Sequence, residues 1–368
     1  MSTPSGAVKP AYFRLGAVVA AVIVVVFALD RLLATVERVE IQRGAREQFE
    51  AGMLLLRAGR KDSALGPLER AHALARTNRE YSLGLIEALI ANGSRDEAEA
   101  RLREILNADS NDGRANLLFA RLLAHESRTD EAIAFYHRAI YGIWHDPGAE
   151  TDSVRLELAR YLATTHRPRE LLSELLLLQG RGSKDIRMTT DLAGLFLVAG
   201  SGPRAAEMYR AILQNSPEDA GALRGLGEAN LLAGDYRTAE SVFLRALRLH
   251  PADAEIIHRL HFANTLAMLD PTSRRLGSQA KFDRATALVS GIRSELAQCP
   301  SAASSPLLEE ADQAVTAKVH GPVTNDIAEA RLSLAEKLWE LRKRTCSAPV
   351  NADTDPVSLV MQKILNTQ

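Results

Sequence analysis

"GALRGLGEANLLAGDYRTAESVFLRALRLHP", residues 221–251, decides how the rest of the chain reads. It divides into two amphipathic halves joined by Ala233-Gly234-Asp235, with Leu226, Leu231, Phe243 and Leu247 at the spacing of an inward helical stripe. Gly227, Ala239 and Ala246 stand where two antiparallel helices would cross, and side chains that small permit close approach. Pro251 ends the second half by withholding a backbone donor. A single hairpin of this kind cannot bury its own apolar face, so it demands neighbours of the same build.

Those neighbours are present. Equivalent units start near Ala45, Arg79, Gly113, Asp152, Ile186 and Ala220, all 34 residues apart except for 39 between Gly113 and Asp152. The first keeps Gly52, Ala64 and Ala71; the third keeps Ala120, Ala132 and Ala139, with Tyr136 at the aromatic position; the fifth has Ala193, Ala205 and Tyr209. The second unit carries Ile86 and Ile105, and the fourth Leu171 and Leu178, where smaller residues are expected. A degenerate seventh unit starts near Ala254 and stops at Asp270-Pro271. The set Leu226, Gly227, Gly234, Ala239, Phe243, Ala246 and Pro251 resembles the tetratricopeptide-repeat pattern, and the period agrees. The resemblance implies an all-α superhelix of about six repeats over 45–270.

The same resemblance implies a groove lined by the first helix of each unit. Its candidate partner-binding residues are Phe49, Met53, Leu83, Glu87, Leu117, Arg121, Leu156, Arg160, Arg224 and Glu228. Leucines at such places also complete a helical core, so Leu83 and Leu117 carry a structural reading beside the functional one. The basic set that clamps a chaperone's C-terminal carboxylate is not reproduced. The longer interval holds "YGIWHDPGAE", residues 141–150, an aromatic loop with a turn at Asp146-Pro147-Gly148. Trp144 there is either packing against neighbouring helices or a partner-binding anchor.

Composition agrees with a helical protein: 46% of the 368 residues are apolar and only 5% aromatic. The formal charge of −1 supplies no global field for nucleic acid, and none is expected as a partner. Gly180 to Lys184 lacks the spacing of a phosphate-binding loop, and Gly225-Leu226-Gly227 is explained by repeat register. No nucleophile, base and orienter assemble, so no enzymatic activity, cofactor or metal is expected.

Before the repeats, "LGAVVAAVIVVVFAL", residues 15–29, carries no charge. As a helix it covers ~22 Å, short of a ~30 Å hydrocarbon core, so flanking apolar residues must extend it. Two readings stand: a membrane anchor over 15–33, after a tail at 1–14 and before a helical connector at 34–44, or a signal peptide cleaved after Ala28. Lysine and arginine counts favour a cytoplasmic body, whereas translocation of large domains largely ignores such charges. The expected placement is a single-pass bacterial inner-membrane protein with a periplasmic body.

After Pro271 the repeat gives way to a helical bundle over 271–368. Three stripes run through Phe282–Leu296, Leu308–Val319 and Ile327–Leu341, and a short helix is expected from Pro356 to Leu365. Cys299 and Cys346 close the first and third of these helices, on one side of an up-down-up trio, where a disulfide is geometrically reasonable. The expected function is an envelope scaffold that binds extended or helical segments of other proteins. A carrier for exported polypeptides, released by signal cleavage, is the alternative, and an accessory protein of surface polysaccharide metabolism a third. Oligomeric state is left open.

Overall fold

The computed structural model describes residues 10–144, 151–181, 186–273, 276–302, 305–317, 321–346 and 354–366. The expected turn at 146–148 and most of the N-terminal tail lie outside the described residues. The described residues are helical, with no strand beyond an isolated bridge between Asp112 and Ile143. The chain divides into two compact units, 1–158 and 159–368.

The first unit begins with α1 (Pro10–Arg57), followed by α2 (Lys61–Leu74), α3 (Arg79–Asn92), α4 (Arg95–Ala108), α5 (Gly113–His125) and α6 (Thr129–Tyr141), and it ends within α7 (Thr151–Thr164). The apolar stretch, the connector and the first repeat helix are thus one unbroken helix. From Val18 to Leu33 its side chains are exposed, and its most apolar window has a mean hydropathy of 2.4. Length and composition alone make this helix able to cross a membrane.

Helix ends follow from local chemistry. Asn78 accepts from the backbone N–H of Glu80 and Tyr81, and Asp112 from that of Ala115, satisfying donors that the first turn leaves free. Gly93, at φ 84°, closes α3 in the left-handed conformation that a side chain disfavours. The small residues set the helix spacing. Leu68 of α2 seats against Gly52 of α1, where an added Cβ would stand 2.5 Å from it. Ala64, Ala71, Ala98, Ala120, Ala132 and Ala139 are wholly buried along the helix crossings.

The second unit contains the remainder of α7, then α8 (Pro168–Arg181), α9 (Ile186–Val198), α10 (Gly202–Asn215), α11 (Ala220–Leu232), α12 (Tyr236–Leu249) and α13 (Ala254–Leu269). After these come α14 (Ser278–Leu296), α15 (Pro306–Thr316), α16 (Asn325–Thr345) and α17 (Pro356–Asn366). α14 and α16 lie side by side and run parallel: Ser278 donates to Asn325 Oδ1 (2.8 Å) at their N-terminal ends, and the Cys299–Cys346 disulfide joins their C-terminal ends with Cα atoms 5.6 Å apart.

The core does not stop at residue 271. Tyr236, Leu266 and Ala267 of the repeats share one buried cluster with Leu288, Ile292, Leu338, Trp339, Val360 and Ile364. α17 returns to the array, where Lys363 pairs with the buried carboxylate of Asp270 (2.7 Å) and its ammonium stands 4.9 Å from the Tyr236 ring centre. Gly234, at φ 73°, lies beneath the Lys363 stem, which an added Cβ would press at 2.9 Å.

Candidate functional site

The first helices of the repeats carry the positions expected to meet a partner, and packing claims the apolar ones. Leu83 and Leu117 are 0% and 7% exposed and belong to the interior. Phe49 and Met53 lean onto Gly84 of the next first helix, and Phe49 also meets Tyr81 with ring centres 4.8 Å apart. Leu156 is half-buried. These residues hold successive helices together and offer little free apolar wall.

The charged candidates form a ladder. In the first unit Arg121 grips Glu157 of the following first helix through two bonds, 2.7 and 2.6 Å, and Tyr136 donates its hydroxyl to the same carboxylate at 2.9 Å. Glu87 faces Arg114 at 3.7 Å, and Arg79 holds the buried Asp112. In the second unit Arg160 pairs with Asp191 at 2.5 Å and Glu228 with Arg259, while Arg224 makes one contact of 3.0 Å to Glu255. Hydrogen bonding to Glu157 raises the Arg121 pKa further, whereas burial lowers that of Arg259.

The rungs obey the repeat register. Arg121, Arg160 and Glu228 share one place in their units, and Glu157, Asp191 and Arg259 share one place in the units that follow. The intervening pair in this series is Gly194 and Gly225. No rung can form between two glycines, and a cavity of about 490 Å³ opens at Gly225. It is lined by Tyr209 and Phe243 beneath, Gly221 and Gly225 on α11, and the pairs Arg224–Glu255 and Glu228–Arg259 at its sides.

Tyr209 occupies the place in its unit that Tyr136 occupies two units earlier, twenty-three residues after Ile186 and Gly113 respectively. Its ring lies across Gly225, where a Cβ would overlap it, and its hydroxyl is 3.9 Å from where a Cβ on Gly194 would stand. The side chain is 6% exposed, and among the described residues its hydroxyl has no hydrogen-bond partner. Burial is the cause that raises its pKa, so the phenol is protonated and able to donate at neutral pH.

Trp144 is a packing residue of the first unit. Its indole N–H donates to the Ala139 carbonyl (2.9 Å) and its ring fills the space that a side chain on Gly113 would need. Ile143 adds two backbone bonds, donating to Asn111 O (2.7 Å) and accepting from Gly113 N (2.9 Å). The described part of the long loop is thus docked on the start of α5. Tyr141 is 72% exposed beneath the Arg155 guanidinium, 5.5 Å from the ring centre.

Comparison with known proteins adds a family. Residues 55–122 and 190–254 each match a family described as tetratricopeptide repeat. Protein O-mannosyl-transferase TMTC1 of Homo sapiens is 24% identical over 225 residues, 61% of this chain and 21% of that protein. Cellulose synthase operon protein C of Pseudomonas fluorescens is 25% identical over 224 residues, 57% of this chain and 17% of that protein. The chain spans about a fifth of the length of the curated relatives it matches. Among solved structures, PilF of Pseudomonas aeruginosa is similar at 18% identity and a TM-score of 0.43, over 60% of this chain and 97% of that one.

Proposed function

The chain is a tetratricopeptide-repeat protein, and from that premise we propose that it is a membrane-anchored scaffold of the bacterial envelope that holds a partner polypeptide against its first-helix face. The observation that carries the reading is the open cavity on that face in the second unit, between the Arg160–Asp191 and Glu228–Arg259 rungs, where Gly194 and Gly225 supply none. Elsewhere the charged side chains satisfy one another and the apolar ones are packed away. α1 supports anchoring by its exposed apolar length, and the Cys299–Cys346 bond supports an oxidising compartment for the body. The similarity to cellulose synthase operon protein C supports an envelope setting. No catalytic activity of its own belongs to this reading.

A photo-crosslinking residue at Arg224 tests it in cells, with the same residue at Arg245 on α12 as the control. The scaffold reading expects a discrete protein adduct from position 224 and none from 245. Equal labelling from both positions, or none from either, counts against it. The released-carrier alternative differs in size: loss of about 28 residues from the mature protein, by intact mass, selects release over anchoring.

A further inference from the structure

We propose that the cavity at Gly225 is a side-chain pocket that takes a carboxylate from an extended segment of the partner, with Tyr209 and Arg224 as its donors. The proposal rests on the scaffold reading and adds the chemistry of what is recognised. Its ground is a comparison within the chain itself. Where the ladder is complete, the tyrosine hydroxyl of one unit gives its proton to a carboxylate supplied by the next, Tyr136 to Glu157. Where Gly225 replaces that glutamate, the Tyr209 hydroxyl has no partner among the described residues and stands at a cavity large enough for a side chain. The Tyr209 side chain is 6% exposed and lines the cavity, so an acceptor on the partner would take the place of water at a donor already held in position.

Charge selects a carboxylate over a neutral amide. Glu228 is neutralised by the two-pronged grip of Arg259, so it does not repel an anion from the pocket. Arg224 is held by one contact to Glu255, whose side chain is 70% exposed, and such pairs are worth little. Arg224 can therefore exchange Glu255 for a better-buried acceptor beside Tyr209. Gly194 stands at the place that Arg121 occupies in the complete rung, and a Cβ there would be 3.9 Å from the Tyr209 hydroxyl, so no side chain of the chain itself competes for it from that position.

The test uses the full chain in detergent and two fluorescein-labelled, end-blocked heptapeptides, Ala-Leu-Gly-Glu-Gly-Leu-Ala and its counterpart with Gln at the centre. Anisotropy titration is expected to show the Glu peptide binding about tenfold more tightly, the worth of a hydrogen bond to a charged group. Arg224→Gln, which removes the charge, is expected to erase that preference, and Tyr209→Phe, which removes only the hydroxyl, to weaken the Glu peptide about tenfold while leaving the melting temperature unchanged. Gly194→Glu, which supplies a carboxylate within the chain, is expected to block the Glu peptide. Equal binding of both peptides, no binding of either, a preference that survives Arg224→Gln, or Glu-peptide binding unchanged by Tyr209→Phe would overturn the proposal. If crosslinking from Arg224 persists in that event, the scaffold reading stands without this pocket; loss of both removes the scaffold reading as well.

Discussion

Tyr136 and Tyr209 are the same residue in the same place of two repeats, and their surroundings make opposite predictions. Tyr136 is 3% exposed and donates to a carboxylate already held by Arg121, so Tyr136→Phe should destabilise the protein by about 1–2 kcal/mol, read as a lowered denaturation midpoint. Tyr209→Phe deletes a hydroxyl that has no partner and should fall within about 0.5 kcal/mol of zero. A result with the two reversed would show that the rung does not satisfy the hydroxyl. Trp144→Ala removes a ring seated on Gly113 together with an N–H bond to Ala139, and a loss of about 2–3 kcal/mol is expected. The sequence showed Gly225 plainly but hid its meaning. As a letter it belonged to a small-residue register, and only the placement of Tyr209 across it shows which neighbouring carboxylate is missing. The ladder was hidden for a related reason: its partners stand 31 or 36 residues apart, and whether two long side chains meet over that separation depends on helix placement.

At the scale of elements, the small residues made the array legible because their spacing is imposed by backbone approach, which few other residues tolerate. Gly227 is an instance: a methyl group there would overlap the Phe243 ring. Gly227→Ala should gain about 1 kcal/mol of helix propensity and lose about 1–3 by overpacking, for a net loss in thermal stability. The helix 356–366 was legible as an element, but its docking site was not, since an amphipathic face names no partner. Asp270, read as the last residue of the repeats, is instead 3% exposed and the anchor for Lys363. Lys363→Ala removes the ammonium from that buried carboxylate and leaves it the Thr272 bonds, and about 2–4 kcal/mol should be lost, read as a lowered denaturation midpoint. Lys363→Met, which keeps the stem and loses the charge, should lose nearly as much; no loss there would mean that the lysine acts through its stem on Tyr236 alone. Breaking the disulfide releases a loop of 47 residues, worth about 4 kcal/mol by chain entropy, so a reductant should lower the melting temperature of the second unit before that of the first.

At the scale of the whole molecule, a repeat array with an apolar N-terminal helix separates two tasks: residues 18–33 present side chains to their surroundings, while the first-helix face presents a patterned polar wall. Fractionation of cells expressing the full chain should place it with membranes, resistant to salt extraction and released by detergent; release by salt alone would remove the anchor. The unbroken course of α1 has a further consequence in this anchored reading. From Val18 to Arg57 it is forty residues, a rod of about 60 Å, with no joint between the bilayer and the Gly52 contact to Leu68. The compass bearing of the first repeat is then set by helical phase. One alanine inserted between Asp30 and Arg43 would swing it through about 100°, two through about 200°, and seven would bring it nearly home. A partner lying in the same membrane would lose contact and regain it with that period, as a freely hinged tether would not allow.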